Sequence, residues 1–177
     1  MDLPTRRMES LLLAGSHLKK VSQIAAFLGG LQAQDYAGAK WSIALRSDGL
    51  TEADIDRAVA QKQIVRTWPM RGTLHFVAAE DLRWILALTA PRNIRAQAGR
   101  HRQLGLDEKT FSKSSKILAK ELSGVAPKIR SELYAILQKN KISTEGQRGI
   151  HLLWRAAQEG LICFAAHDEK QPTFALL

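Results

Sequence analysis

The stretch QIVRTWPMRGTLHFV, residues 63–77, constrains this chain more than any other. Val65, Thr67 and Trp68, and after them Thr73, Phe76 and Val77, are residues that suit a pleated, half-buried surface. Between the two runs, WPMRG has proline and glycine placed as in a turn. Residues 62–77 are therefore read as a β-hairpin. A lone hairpin is marginal in water, so it must lie on something else.

The rest of the first half supplies helices. Ser22 is placed to cap a helix whose stripe is Ile24, Phe27, Leu28 and Leu31. A second stripe follows at Ala37, Trp41, Ala44 and Leu45. In LTEADIDRAVA, Thr51 and Asp54 have nearly the spacing of a capping box, ahead of a stripe of Ile55, Ala58 and Val59. After the hairpin a helix is predicted from Ala79 to about Leu88, ended by Pro91.

The second half repeats this order. One helix starts near Asp107 and faces Phe111, Leu118 and Leu122 inward. The next turns Ile129, Leu133, Ile136 and Leu137 inward. The third, in STEGQRGIHLLWRAAQEG, has Thr144 as its cap, Gly160 at its C-terminal end, and an apolar stripe of Ile150, Leu153, Trp154 and Ala157. LICFAA-HDEKQ-PTFALL then reads as strand, polar turn, strand. Helix, helix, helix and hairpin is the order of a winged helix. The expected fold class is thus mainly α with small β-hairpins as wings, arranged as tandem winged-helix motifs. The divisions are a first motif at 1–90, a basic connector at 91–105 and a second motif at 106–177.

Charge points to the partner. Lysine and arginine total 26 against 17 acids, a net charge of +9. Such a surface favours polyanions, nucleic acid before an anionic membrane. No apolar run approaches membrane-spanning length, and MDLPTRRMES has no signal-peptide core. No membrane partner is expected, and a reducing cytoplasm is the default location. The connector holds Arg92, Arg95, Arg100 and Arg102, with His101 among them, and reads either as a solvated linker helix or as a phosphate-contacting segment. The third helix of the second motif carries Arg148, His151 and Arg155 opposite its apolar stripe. That face suits a recognition helix, or simply water. Cys163 sits in an apolar run and reads as a small buried hydrophobe. No Cys/His set has zinc spacing, so no metal and no cofactor are expected.

Several segments resemble one known family. LGGLQAQD, VRTWPMRGTLHFV, GIHLLWRAAQEGLICF and QPTFALL resemble the AlkZ/YcaQ-type winged-helix DNA glycosylases, over nearly the whole chain from about Leu11. The pairing of LQAQ with RGTLH at this distance is the specific part. The resemblance implies hydrolysis of the N-glycosidic bond of N7-alkylated or crosslinked purines in double-stranded DNA. It puts the family's Gln-apolar-Gln catalytic motif on Gln32, Ala33 and Gln34. Arg71 and His75 fall in a signature of the family; Arg71 is counted with the DNA contacts, and His75 receives no role. Family members are considerably longer and carry a third winged helix, a motif expected to be absent here. A non-catalytic winged-helix regulator and an inactive glycosylase fragment remain the alternatives.

The glutamine spacing makes a structural demand. In a regular helix, i and i+2 lie on nearly opposite faces, whereas in an extended segment they share one. Gly29 and Gly30 make a departure from helix inexpensive just upstream. Amides are poor bases but can orient a water. They suit a lesion whose leaving group is already cationic, handled by a monofunctional hydrolase without a lysine Schiff base. Trp68 and Trp154 are expected in the core. Arg66, inside a predicted strand, is expected to pair with Asp35 or Asp54 or to face a groove.

Overall fold

A computed structural model describes residues 2–15, 17–167 and 171–177. The elements in chain order begin with α1 (Leu3–Ser10), α2 (Val21–Leu28), β1 (Leu31–Gln32), α3 (Tyr36–Ala44), α4 (Glu52–Ala60), β2 (Ile64–Met70) and β3 (Thr73–Ala78). After them come α5 (Ala79–Gln103), α6 (Glu108–Leu122), β4 (Lys128–Ile129), α7 (Arg130–Lys139), α8 (Arg148–Gln158), β5 (Ile162–Phe164) and β6 (Thr173–Leu176). The chain divides into two compact units, one of Met1–Thr67 with Thr73–Arg83, the other of Trp68–Gly72 with Trp84–Leu177.

The structure is mainly helical, with small antiparallel strand pairings, and the winged-helix order occurs twice. The first copy is α2, β1, α3, α4 and the β2–β3 hairpin, all in the first unit except Trp68–Gly72. The second copy is α6, β4, α7, α8 and the β5–β6 pair, in the second unit. Each copy has a short strand between its first two helices. That strand pairs antiparallel with the last strand of its own hairpin, β1 with β3 and β4 with β6. Periodicity does not reveal a two-residue strand, and neither is legible in the sequence. The polar turn foreseen before β6 includes residues 168–170, which lie outside the described residues.

The first hairpin forms from β2 and β3, but its turn is tighter than expected. Trp68, Pro69 and Met70 remain in β2, and Arg71 and Gly72 alone reverse the chain. Both have positive φ, 52° and 75°, the handedness that matches the twist of flanking strands. For Arg71 this is a strained conformation.

The core of the first unit centres on Ile24, Ile43, Ile55 and Phe76, all inaccessible to solvent. The capping box at Thr51 and Asp54 is present as expected, and Ile55, Ala58 and Val59 are buried below it. Two other readings are corrected. Lys20, not Ser22, occupies the N-cap of α2; Phe27 is exposed, and Leu31 belongs to β1. In α3 the inward face is Ala39, Lys40 and Ile43, whereas Trp41 is 68% exposed and Ala37 and Leu45 are also exposed. Apolar residues lie on both sides of this helix, and a lysine marks the wrong side as polar. Lys40 buries its stem and carries its ammonium to Asp56, 3.1 Å from both oxygens, and to Glu52.

In the second unit, Phe111, Leu118, Leu133, Leu137 and Leu153 are buried as expected. Trp68 packs edge-on against Phe164 at 4.8 Å, and Cys163 is buried. Ile129 lies in β4 ahead of α7 rather than within it. Gln147, not Thr144, precedes α8; the Thr144 hydroxyl instead accepts from Gln138 Nε2 at 2.7 Å. Gly160 follows the helix with φ 70°, as foreseen.

The clearest departure is α5. Pro91 does not end this helix, which runs 25 residues through it. A proline removes one hydrogen bond, here to the carbonyl of residue 87, and neighbouring interactions can hold the helix together. Ile85, Leu86 and Ala90 are buried just before it. Just after it, Asn93 Nδ2 donates to the Pro69 carbonyl at 3.2 Å and to Gln158 Oε1 at 3.1 Å.

Two substitutions separate the core from the corrected outer face of α3. Phe76→Ala is expected to cost about 3–5 kcal/mol in urea unfolding because it empties a filled core position. Trp41→Ala is expected to stay within about 0.5 kcal/mol of the parent, since its ring already faces water.

Candidate active site and nucleic-acid interface

Gly29 closes α2 in the left-handed region at φ 64°, and Gly30 follows at φ 144°. The chain then enters β1, with Leu31 opposite Phe76 and Gln32 opposite His75. The ladder continues one residue further, where Ala33 N donates to the Leu74 carbonyl at 2.7 Å. The backbone is therefore extended where the glutamines require it. Ala33 is wholly buried, while Gln32 and Gln34 on either side of it are exposed. This is the alternation of an extended segment, in which residues i and i+2 share a side, and the chain bends at Gln34 itself.

Gln34 is oriented by β3. Its Oε1 accepts from Leu74 N at 3.3 Å. A backbone N–H can only donate, so this contact fixes which end of the amide faces the strand and leaves the NH2 end pointing away. His75, opposite Gln32, is buried, and its Nδ1 lies 2.9 Å from the Thr73 carbonyl. A carbonyl only accepts, so the proton of that contact sits on Nδ1.

Arg66 reaches the same segment. Its Nε and Nη2 donate to the Ala33 carbonyl at 3.0 and 2.9 Å, and Nη2 also lies 3.4 Å from the Gln34 carbonyl. The guanidinium is 5.2 Å from the centre of the Tyr36 ring. Neither of the expected aspartates accounts for these bonds. Asp54 instead serves the Thr51 cap and pairs with Arg57. The Tyr36 hydroxyl donates to Asp56 Oδ1 at 3.1 Å. Burial, with the Asp56 carboxylate beside it, pushes the Tyr36 pKa up, so the hydroxyl keeps its proton. Sequence reasoning marked Arg66 as odd but missed Tyr36 and Asp56. The one available signal was a cation between strand-forming residues.

The expected DNA contacts separate into three groups. Arg71 and Arg92 are exposed and line a groove of about 810 Å³ in the second unit, together with Met70, Asn93, Gln97 and Trp154. Along α5, Arg92, Arg95 and Arg102 fall on one exposed stripe with Trp84 and Leu88. Arg100 points elsewhere, donating to Gln103 Oε1 at 3.0 Å and Gln147 Oε1 at 2.9 Å. Arg148, His151 and Arg155 do not form the exposed recognition face that their spacing suggested. Arg155 is buried, grips Glu108 through both Nη atoms at 3.0 and 2.8 Å, and donates to Glu159 at 2.7 Å. Arg148 donates to the carbonyls of Leu104, Gly105 and Ser143. From Leu152 to Gln158, α8 is buried on every side, because α6 and α5 supply partners for its polar stripe.

His151 meets one of those partners. The His101 ring lies 5.2 Å from it, 4.9 Å from Phe111 and 5.9 Å from Trp154. His101 is buried, although its arginine neighbours in sequence are exposed. Its Nε2 and the His151 Nδ1 have no hydrogen-bond partner among the described residues. Burial lowers the pKa of both; the charges of His151 and Arg155 add to this at His101, and Arg100 adds at His151. Among the described residues, no group of three or more His, Cys, Asp or Glu is arranged to hold a metal ion, and no helix is long and apolar enough to cross a membrane.

The tandem winged-helix order carries an extended segment with exposed Gln32 and Gln34 on either side of buried Ala33. Residues 25–177 match the family described as DNA glycosylase AlkZ-like, and the chain belongs to that family. It is 26% identical over 175 residues to an interstrand DNA cross-link repair glycosylase of Streptomyces sahachiroi, covering 96% of this chain and 47% of that protein. The solved structure of the Streptomyces sahachiroi DNA glycosylase AlkZ superimposes with a TM-score of 0.81 at 25% identity, again over 96% and 47% of the two chains. The chain thus spans about half the length of these relatives.

The histidine pair has a pH consequence. With folded pKa values below the ordinary 6.5, the unfolded chain binds more protons as acid is added. The stability contributed by the neutral rings is complete above about pH 6.5 and is lost as pH falls below it. Urea midpoints are expected to drop between pH 7.5 and 5.5, and to drop less in His101→Leu.

Proposed function

We propose that the protein binds double-stranded DNA and hydrolyses the N-glycosidic bond of N7-alkylated or crosslinked purines, with Gln32 and Gln34 as the catalytic pair. The observation that carries this reading is the extended Leu31–Ala33 segment leading into Gln34, with Gln32 and Gln34 exposed on either side of a buried Ala33. Membership of the AlkZ-like family supports the reaction class.

The chemistry is suited to two amides. A purine alkylated at N7 is already a cation and needs no acid to leave. What remains is to place a water on the far face of the sugar and to stabilise the developing oxocarbenium character. Positioning can supply a large part of such a barrier. Gln34, held by Leu74 N, offers its NH2 end as a donor, and its oxygen retains a second lone pair. Gln32 supplies the second amide, and the amide dipoles add electrostatic help once bound DNA covers the two exposed side chains. No lysine adduct enters this scheme.

DNA contact is assigned to Arg71, Arg92, Arg95 and Arg102, which are exposed in the second unit, with Arg100 beside them. Arg148, His151 and Arg155 act by shaping α8, as their internal bonds favour. Residues 1–90 and 106–177 are taken as the two winged-helix motifs, with 91–105 as the basic link. A reducing cytoplasm is compatible with the lone buried Cys163.

A duplex carrying N7-methylguanine tests the reading. The protein is expected to release the base, and Gln34→Ala to release it about 100-fold more slowly, the scale for loss of one preorganised group. Tight, strongly salt-dependent DNA binding without any base release would favour a non-catalytic role.

A further inference from the structure

The aim of the two glutamines depends on a peptide that β3 holds only in part. The β1–β3 ladder ends with the bond from Ala33 N to Leu74 O, and the chain bends into α3 two residues later. Rotation of the peptide between Ala33 and Gln34 would change the direction of Gln34 relative to Gln32. In the strand order β1-β3-β2, Arg66 on β2 is two strands away from this peptide. Strands lie about 4.8 Å apart, so the side chain crosses roughly 10 Å to reach it. It ends there in a fork, with two nitrogens on one carbonyl and a longer contact to the next.

We infer that Arg66 is a positioning residue for the Gln32–Gln34 pair, its guanidinium locking the Ala33–Gln34 peptide and being held in turn by Tyr36 and Asp56. Arg66 is only 6% exposed, and a guanidinium stays charged in such a site, so turning these carbonyls away would take hydrogen-bond acceptors from a buried cation. The Tyr36 ring covers it at 5.2 Å, and Lys40 Nζ lies 4.9 Å from the same ring. Asp56 fixes that ring through its hydroxyl and holds the Lys40 ammonium, so the far end of the clamp is rigid as well. Lysine would keep the charge but lose the fork, which separates a geometric role from an electrostatic one.

The inference rests on the glycosylase reading for its kinetic test and is independent of it for its structural one. In single-turnover release of N7-methylguanine from duplex DNA, Arg66→Lys is expected to slow the reaction at least tenfold, with the DNA dissociation constant within twofold of the parent. Added methylguanidinium is expected to restore part of the rate lost in Arg66→Ala. A parental rate in Arg66→Lys overturns the inference. So does a loss that follows unfolding at the assay temperature and is not rescued. Amide hydrogen exchange gives the second measurement. The Ala33 and Leu74 amides are expected to exchange at least tenfold faster in Arg66→Lys while the Phe76 amide does not change, and equal rates at all three overturn the clamp. If the parent protein releases no base, the glycosylase reading fails and the exchange result alone decides the role of Arg66.

Discussion

A strand of two residues has too few backbone bonds to hold itself extended, and β1 is such a strand. It persists because both of its sides are settled by other elements. Phe76 and His75 fix its register, Leu74 accepts from the residue just beyond it, and the fully buried Ala33 anchors its inner side. Two consecutive positive-φ glycines let α2 stop abruptly enough to reach it. The exposure of both glutamines on either side of Ala33 follows from this pairing. A register slip of one residue would exchange Ala33 for an amide in the core.

The second copy of the motif shows what the scaffold supplies without such a pair. There β4 occupies the same place between helices and pairs with the end of its own hairpin, but its two residues are Lys128 and Ile129. The short strand is thus a feature of the winged helix, which the first copy combines with the amides. In the second copy polar chemistry is concentrated in α8, where Arg155 bridges Glu108 and Glu159 over the Phe111 ring. A bridge of this kind joins elements distant in sequence more than it adds stability, since Glu108 stays mostly in water, where such a pairing gains little.

The tandem order of helices and hairpins was legible in the sequence because long periodic segments and a dense β-forming run carry strong signals. Gln32, Ala33 and Gln34 were singled out by family resemblance, and the extended backbone found there was foreseen from the i, i+2 spacing of the amides. What stayed hidden depends on tertiary contact. Lys40 reads as a solvent residue until Asp56 and Glu52 receive it, and that reverses the face of α3. Pro91 reads as a stop until Asn93 ties the helix to its neighbours. Arg155 and Arg148 read as a recognition stripe until Glu108 and the carbonyls at Leu104 and Gly105 take them up. Each case involves a polar side chain whose partner is remote in sequence, and neither local propensity nor periodicity records that.

The alternation along Gln32, Ala33 and Gln34 also separates two kinds of position within one tripeptide. The ladder is made by backbone groups, and the inward position is filled by the smallest side chain that has a Cβ, so folding places few demands on Gln32, while Gln34 serves the fold only by accepting from Leu74 N. Replacing Gln32 would change an exposed side chain, replacing Gln34 would also free the Leu74 N–H that its Oε1 accepts, and a larger residue at Ala33 would disturb the core. The outward positions of this tripeptide can therefore change with less effect on the fold than the inward one.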